Sequence, residues 1–186
     1  YSRGALSVAH NGNLVNAQKI RAELEAHGAI FQSTMDTEII IHLIAQSTKS
    51  SLLDRITDGL KQVKGAYSRG FLTETRRIAG RDPFGWRPRG IGKKDDTWVV
   101  ASETCALDLL EVDFVREIEP GEIVVFDKDG MHSSKPFVIP HKKAMCIFEF
   151  IYFARPDSHI FGRDVYEMRK GFGQKLAREH SVKADV

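Results

Sequence analysis

The chain has only two cysteines, Cys105 and Cys146, and neither belongs to a Cys-x-x-Cys pair. Two such residues cannot form a disulfide framework, and they argue against a zinc site built from this chain alone. The longest apolar run is about five residues, far below the roughly 20 residues that a membrane-spanning helix needs. The chain has 27 Lys and Arg against 25 Asp and Glu, and its net charge is +2. A charge this small gives no long-range attraction for a polyanion such as a nucleic acid. We therefore predict no nucleic-acid partner and no membrane partner.

The chain contains 186 residues, of which 42% are hydrophobic and 28% are charged, as is usual for a globular protein. This length suits one domain, or a domain with part of a second. The N-terminus lacks the basic and then apolar stretch of a secretory signal, which favours a cytoplasmic location. The first residue, Tyr1, lies in what reads as the middle of an apolar strand, so we predict that the chain is a fragment.

The hydrophobic periodicity changes from helical to strand-like along the chain. We predict a short strand at residues 5–9, a turn at residues 10–13, and helices at residues 16–27, 37–46 and 51–63. After Gly65 the pattern predicts antiparallel strands at residues 66–72, 77–80, 97–101 and 122–126, with a hairpin turn at residues 127–130. An aromatic segment at residues 145–153 precedes a final helix at residues 162–180. Helices followed by several strands indicate an α+β fold.

Asn11 and Gly12 follow the first predicted strand, and the pair has two readings. An Asn-Gly pair is most often a turn, because both residues tolerate a positive backbone φ. The same pair suits amide hydrolysis, in which the Asn side-chain N–H and the Gly backbone N–H donate to an oxyanion from adjacent positions. A glycine also has no Cβ to obstruct the approach of a substrate. The sequence leaves both readings open.

Asp36 precedes the second predicted helix and is equally ambiguous. As a helix cap it would contribute about 1 kcal/mol, whereas a carboxylate facing a cleft can hold the ammonium group of an amino-acid substrate. Cys105 reads as a small buried hydrophobe, and Cys146 reads by default as a core residue. The seven histidines show no metal-ligand spacing such as His-Glu-x-x-His.

Eight basic residues cluster between positions 69 and 94, with few acidic residues among them. Such an excess of positive charge can bind phosphate groups. However, few aromatic residues lie between the basic ones, and charged residues in the turns between strands are normally solvated. We therefore favour a solvated surface, and a stand-alone basic binding module is the alternative outside enzymes. The residues are Arg69, Arg76, Arg77, Arg81, Arg87, Arg89, Lys93 and Lys94.

Six short strings, in order, resemble the class II glutamine amidotransferase family. They are residues 9–14 (AHNGNL), 35–38 (MDTE), 64–68 (KGAYS), 81–83 (RDP), 101–106 (ASETCA) and 119–122 (EPGE). The first four are shared with other class II glutaminases, including the aminotransferase that forms glucosamine 6-phosphate, so they indicate the domain only. A further string, residues 146–158 (CIFEFIYFARPDS), is similar to the amidophosphoribosyltransferase branch of the family.

The resemblance implies a four-layer αββα N-terminal-nucleophile hydrolase fold that is incomplete at its N-terminus. It implies that residues 1–144 are the glutaminase domain. Residues 145–186 are then a connecting segment and the start of a phosphoribosyltransferase domain, and the C-terminal helix leads into the part of that domain absent from this chain. Asn11 and Gly12 match the oxyanion donors of the family, and Asp36 matches its ligand for the α-amino group of glutamine.

The activity that the resemblance implies is glutamine-dependent amidophosphoribosyl transfer in purine biosynthesis. In that family a cysteine at the mature N-terminus attacks the side-chain amide of glutamine, with its own α-amino group as the base. The released ammonia displaces pyrophosphate from phosphoribosyl pyrophosphate to give 5-phosphoribosylamine. Cys105 and Cys146 are internal and match other family positions, so we expect the fragment to be inactive alone. The alternative among enzymes is the glutaminase domain of another class II amidotransferase.

The resemblance also implies cofactors and partners for the intact protein. Mg²⁺ would belong to the absent phosphoribosyltransferase domain, and in one branch Cys146 matches the first of four cysteine ligands of a [4Fe–4S] cluster. No cofactor is expected in the fragment. The implied partners are glutamine, phosphoribosyl pyrophosphate and further copies of the chain in a homo-oligomer. One departure from the family is that Arg69 and Gly70 replace apolar residues, which should place a charge in the core and weaken that strand.

Overall fold

The order of helices and strands in the computed structural model, which describes residues 4–138 and 143–183, is the predicted α+β order. The helices are α1 (Ala17–Ala26), α2 (Asp36–Gln46), α3 (Leu52–Gln62), α4 (Thr104–Asp108) and α5 (Val165–Glu179), with a π-helical turn at Glu149–Phe153. The strands are β1 (Ser7–Leu14), β2 (Gly65–Leu72), β3 (Arg77–Arg81), β4 (Gly90–Lys94), β5 (Thr97–Ala101), β6 (Asp113–Glu117), β7 (Ile123–Asp127), β8 (Gly130–Ser134), β9 (His159–Ile160) and β10 (Arg163–Asp164). The predicted fragment start at Tyr1 lies outside the described residues.

The chain packs as two compact units, one of Tyr1–Arg87 with Ile118–Ala144 and the other of Pro88–Glu117 with Met145–Val186. The first unit contains α1, α2 and α3 together with a five-stranded antiparallel sheet in the order β1-β2-β3-β7-β8. Strand β1 is therefore an edge strand of this sheet as described. The domain boundary predicted between residues 144 and 145 stays a prediction.

The core of the first unit lies between its helices and one face of its sheet. Helix α2 contributes four buried residues that recur at the spacing of one helical face: Ile39, Ile40, Leu43 and Ile44. The strands contribute alternate residues, which point to the same side of a sheet: Tyr67, Phe71, Ile78, Ile123 and Val125. In β1 the inward positions are 8, 10, 12 and 14, since Val8 and Leu14 join this core. The odd-numbered positions of β1 face the other way and are exposed.

The second unit is built on a three-stranded antiparallel sheet in the order β5-β4-β6. A small core of Phe150, Ala154, Ile160 and Val165 joins its π-helical turn to the start of α5. Glu103, which precedes α4, accepts hydrogen bonds from the backbone N–H of Arg155 and the hydroxyl of Ser158, each at 2.8 Å. Two of the motifs found in the sequence, residues 101–106 and 146–158, are thus joined by the half-buried carboxylate of Glu103.

The α+β prediction is confirmed, and most predicted elements are found close to their predicted bounds. Strands β4 and β6 were not predicted, because GIGKK and DFVRE show neither a long apolar run nor a clean alternation. The aromatic segment at residues 145–153 forms a π-helical turn in its second half. Among the described residues, none of the helices combines the length and the apolar character that crossing a bilayer requires.

Candidate active site

Asp36 is the first residue of α2, and its carboxylate is directed at strand β1. The oxygen Oδ2 accepts the backbone N–H of Leu14 at 3.0 Å, and Oδ1 lies 3.1 Å from Nδ1 of His10. The N-cap of α2 is Met35, whose side chain makes no capping hydrogen bond. The helix-cap reading of Asp36 is therefore wrong. Its side chain joins the helix to the sheet and keeps 22% of its surface exposed.

The loop that precedes α2 is held by Glu38, two residues after Asp36. The carboxylate of Glu38 accepts the backbone N–H of Gln32 at 2.7 Å, the backbone N–H of Ser33 at 2.8 Å and the Ser33 hydroxyl at 2.7 Å. These hydrogen bonds hold the pKa of Glu38 below its ordinary value, and the one from the backbone of Gln32 has the largest effect. A glutamate early in the first turn that binds back to the preceding loop is a common way to start a helix.

His10 points inward from β1 with 4% of its side chain exposed. Burial lowers the pKa of His10 below its ordinary 6.5, the charge of Arg69 acts in the same direction, and Asp36 opposes both. The imidazole is therefore neutral at pH 7. Because a carboxylate only accepts hydrogen bonds, Nδ1 holds the proton that is donated to Asp36. This contact is a hydrogen bond between a neutral ring and a carboxylate, and it fixes the orientation of Asp36.

Asn11 and Gly12 lie inside β1, so the turn reading of this pair is wrong. Both residues pair in register with β2. Gly12 has a φ of +148°, and a Cβ on it would lie 2.1 Å from the carbonyl oxygen of Ala66, which leaves glycine as the residue that fits. Asn11 alternates with His10 and Gly12, so its side chain points to the opposite face, where it is exposed.

Asn11 and Gly12 thus lie in the edge strand β1, and Asp36 contacts that strand from the start of α2. Asp36 contacts positions 10 and 14 of β1 on its inward side, and the carboxamide of Asn11 projects on the other side. A ligand that lies along the open edge of a strand can reach groups on both faces. The structure places Asn11 and Gly12 in β1 and Asp36 against it, with the side chains of Asn11 and Asp36 on opposite sides of the strand. Their catalytic and binding roles stay predictions.

Arg69 lies directly opposite His10 in the register of β1 and β2, and it is completely buried. None of its three guanidinium nitrogens has a hydrogen-bond partner within residues 4–138 and 143–183. Its Cζ lies 5.6 Å from the centre of the Tyr67 ring. Burial lowers the pKa of Arg69 to about 10, whereas the charge of Asp36 acts to raise it. The predicted charge in the core is confirmed, although β2 continues through it without a break.

The sequence reading missed His10 and the relation of Arg69 to Asp36. The available signals were a histidine next to the Asn-Gly pair and an arginine at an inward position of an apolar strand. Neither signal gives the cross-strand pairing that places the two side chains together. That pairing depends on the register between β1 and β2.

The eight basic residues between positions 69 and 94 do not form a single solvated surface. Arg69 and Arg81 are buried, and the Arg81 guanidinium donates to the carbonyl oxygens of Ile118 at 2.6 Å and Gly85 at 3.2 Å. The basic stretch is also divided between the two compact units after Arg87. The solvated-surface interpretation is wrong for these two arginines, whose charges are not accessible to a polyanion.

Cys146 is half-buried, belongs to the second compact unit, and is a free thiol like the buried Cys105. Within the described part of the chain, no group of three or more His, Cys, Asp or Glu side chains is placed to hold a metal ion. Because a [4Fe–4S] cluster needs four thiolates as a rule, these residues do not fit such a cluster by themselves. The ligand role of Cys146 stays a prediction.

Comparison with known proteins assigns the chain to a family. Residues 1–109 match the model of a family described as a glutamine amidotransferase domain. The chain therefore belongs to the glutamine amidotransferase domain family. Within it, the chain is homologous to part of the amidophosphoribosyltransferases. It is 50% identical to amidophosphoribosyltransferase 2, chloroplastic, of Arabidopsis thaliana, over the whole chain and 33% of that protein.

The relation extends to a bacterial relative and to solved structures. The chain is 46% identical to the amidophosphoribosyltransferase of Bacillus subtilis, over the whole chain and 39% of that protein. It therefore spans about a third to two fifths of the length of these relatives. The glutamine phosphoribosylpyrophosphate amidotransferase of B. subtilis, complexed with ADP and GMP, matches all of this chain and 40% of its own, with a TM-score of 0.94 and 45% identity.

A more distant structure shares the fold alone. It is a glutamine aminotransferase class-II domain protein from Silicibacter pomeroyi, with a TM-score of 0.56 and 16% identity over 73% of this chain and 68% of its own. Together these matches confirm the resemblance to the class II glutamine amidotransferase portion of the amidophosphoribosyltransferases.

Proposed function

We propose that this chain is the glutaminase portion of an amidophosphoribosyltransferase of purine biosynthesis. The observation that supports this most is the identity of 46–50% to such enzymes along the whole chain. In the intact protein, glutamine would be hydrolysed and its ammonia passed to phosphoribosyl pyrophosphate to form 5-phosphoribosylamine. Residues 1–144 would be the glutaminase domain, and residues 145–186 would connect it to a phosphoribosyltransferase domain.

Asn11 and Gly12 are the proposed oxyanion donors. Attack on the side-chain amide of glutamine puts negative charge on its carbonyl oxygen, and fixed N–H groups stabilise that charge. The exposed carboxamide of Asn11 and the Cβ-free backbone at Gly12 support this role, because both belong to a strand whose position is fixed by pairing with β2. One such donor typically contributes about 3 kcal/mol to transition-state stabilisation.

Asp36 is the proposed ligand of the α-ammonium group of glutamine. Its oxygen Oδ1 accepts from His10 at 3.1 Å and from the Thr37 hydroxyl at 3.4 Å, and Oδ2 accepts from the backbone N–H of Leu14 at 3.0 Å. An ionised carboxylate has about four acceptor positions. Acceptor capacity therefore remains on a side chain that is partly exposed. In glutamine three carbon atoms separate the α-nitrogen from the amide carbon, so one molecule along the edge of β1 can approach both Asp36 and the oxyanion donors.

The nucleophile in this proposal is an N-terminal cysteine outside residues 1–186. Cys105 and Cys146 are internal and have no free α-amino group to act as the base, so the chain alone is expected to be inactive. The four-layer αββα fold also belongs to this proposal, and the TM-score of 0.94 to the B. subtilis enzyme supports it.

The cofactors and assembly of the intact protein are further parts of the proposal. Mg²⁺ would bind in the phosphoribosyltransferase domain, where it neutralises the charge of pyrophosphate groups. A [4Fe–4S] cluster would use Cys146 as one ligand and take the other thiolates from outside this chain. We also propose a homo-oligomer in the cytoplasm, although the relatives from Arabidopsis are described as chloroplastic.

The test compares two nitrogen sources in the intact enzyme. Asn11→Ala should lower glutamine-dependent activity about 100-fold to 1,000-fold and leave activity with added ammonia nearly unchanged, because ammonia bypasses the oxyanion step. Asn13→Ala is the matched control, since Asn13 is exposed on the same face of β1 two residues away. Equal losses with both nitrogen sources would refute the assigned role of Asn11.

The acceptor substrate needs a separate measurement. We expect the intact protein to release pyrophosphate from phosphoribosyl pyrophosphate when ammonia is supplied. Glutamine-dependent amination of a hexose phosphate without that release would instead support another class II amidotransferase.

A further inference from the structure

The buried guanidinium of Arg69 has no role in the glutamine hydrolysis proposed above. Arg69 is fully buried and sits opposite His10, the residue whose Nδ1 lies 3.1 Å from Asp36. A buried charged side chain is ordinarily paired and hydrogen-bonded. No guanidinium nitrogen of Arg69 has such a partner in the described parts of the chain. Arg69 therefore acts on its neighbours through its charge rather than through a hydrogen bond.

The groups that face Arg69 come from three elements: His10 from β1, Tyr67 from β2 and Asp36 from α2. Two of these are neutral near pH 7, because burial lowers the pKa of His10 and raises that of Tyr67. The carboxylate of Asp36 is the negative group of this set. The field of Arg69 is thus compensated by the side chain that the proposed function assigns to the ammonium group of the substrate.

We propose that Arg69 weakens the binding of the glutamine α-ammonium group to Asp36. The inference rests on the proposed role of Asp36. The positive charge of Arg69 already compensates part of the negative charge of the Asp36 carboxylate. The same positive charge also repels the ammonium group of a substrate that approaches Asp36. Both effects act through a buried region, where charges are screened much less than in water. The affinity for glutamine is therefore lower than Asp36 alone would provide.

The experiment uses the intact enzyme with the variants Arg69→Met and Arg69→Lys. Arg69→Met should lower the KM for glutamine about threefold to tenfold, the coupling expected of neighbouring groups, with kcat nearly unchanged. Arg69→Lys keeps the charge and should keep the KM within about twofold of the original value. Arg77→Met is the control, since Arg77 is exposed on the adjacent strand β3, and it should leave the KM unchanged.

A second ligand separates a charge effect from a change in packing. Glutaramate, which is glutamine without its α-amino group, should inhibit the original enzyme and Arg69→Met with the same inhibition constant. Equal changes in the KM for glutamine and the inhibition constant of glutaramate would overturn the inference. The titration of His10, followed by NMR, should move to higher pH in Arg69→Met, because a like charge has been removed.

The variant Asp36→Asn distinguishes failure of the inference from failure of the proposed function. An unchanged KM for glutamine in Asp36→Asn would refute the role of Asp36, and the inference would fall with it. A raised KM in Asp36→Asn together with an unchanged KM in Arg69→Met would overturn only the role of Arg69. If Arg69→Met does not fold, Arg69→Gln takes its place, and failure of both to fold would also overturn the inference by showing that the guanidinium is needed for packing.

Discussion

Replacing Arg69 by methionine should stabilise the protein, although Arg69 is the largest fully buried side chain among the described residues. The change removes a guanidinium that has no hydrogen-bond partner in the described structure. Methionine is also long and unbranched, so it can fill most of the vacated space with a flexible apolar chain. The surroundings suit an apolar residue, because neighbouring inward positions of β2 are Tyr67 and Phe71.

The magnitude can be worked from the pKa of Arg69 and from the known cost of buried ions. A pKa lowered from 12.5 to about 10 means that the fold disfavours the charged form by about 3 kcal/mol. This cost is fully present below pH 10, where the folded and unfolded chains are both protonated, and it is relieved as the pH rises from about 10 to 12.5. Replacement of buried ionic groups by well-packed apolar residues ranges from neutral to stabilising by about 1–4 kcal/mol. Because the attraction to Asp36 is also lost, we expect a gain of about 2 kcal/mol at pH 7.

The higher stability of Arg69→Met should be measurable both as slower amide hydrogen exchange in the sheet and as a higher midpoint of thermal unfolding. A gain of about 2 kcal/mol slows hydrogen exchange by roughly 30-fold at amides that exchange by opening of β1 and β2. The midpoint of the unfolding transition that includes this sheet should rise by about 4–8 °C for a chain of this size. The exposed control Arg77→Met should change the unfolding free energy by less than about 0.5 kcal/mol. A loss of more than about 1 kcal/mol in Arg69→Met would refute the reasoning, since it would show that the arginine has a stabilising partner.

Two further predictions concern the backbone at Gly12 and the half-buried carboxylate of Glu103. Gly12→Ala should lower the free energy of unfolding by about 2–4 kcal/mol in chemical denaturation, because the new Cβ would meet a carbonyl oxygen at 2.1 Å. Gly130→Ala has a similarly strained φ but no atom within 4 Å of the new Cβ, so an equal loss there would contradict the close-contact explanation. Glu103→Gln should cost about 1–2 kcal/mol because it removes the charge that accepts from Arg155 and Ser158. An unchanged unfolding free energy in that variant would show that these hydrogen bonds add nothing net.

The helices of the first unit were predictable from the sequence because their signals are local. Helix α2 was predicted at residues 37–46 and spans Asp36–Gln46, and α3 was predicted at residues 51–63 and spans Leu52–Gln62. A helix forms its hydrogen bonds within itself, so the periodicity of its own residues is enough to reveal it. Strand β4 gives no such signal, since its sequence GIGKK contains one large apolar residue. It forms because β5 and β6 supply partners on both of its sides.

In the candidate site, too, the sequence reveals some features and only the structure reveals others. Asn11, Gly12 and Asp36 could be selected from the sequence, because each belongs to a short motif of a family that the comparisons confirm. The contact between Asp36 and His10 joins residues that are 26 positions apart, and no short motif encodes such a pairing. Arg69 could be recognised as a charge in an apolar strand, but its position opposite His10 depends on the register of β1 and β2.

The sequence by itself therefore determined the family, the α+β order of the elements and the residue types available for glutamine chemistry. Tertiary structure alone decided that Gly12 sits within a strand, that Asp36 binds β1 instead of capping its helix, and that Arg69 lies opposite His10, the histidine that contacts Asp36. The physical reason is that motifs and helices depend on neighbours along the chain. The charge balance around a carboxylate depends on strand register, burial and the low dielectric of the interior, which exist only once distant segments have packed together.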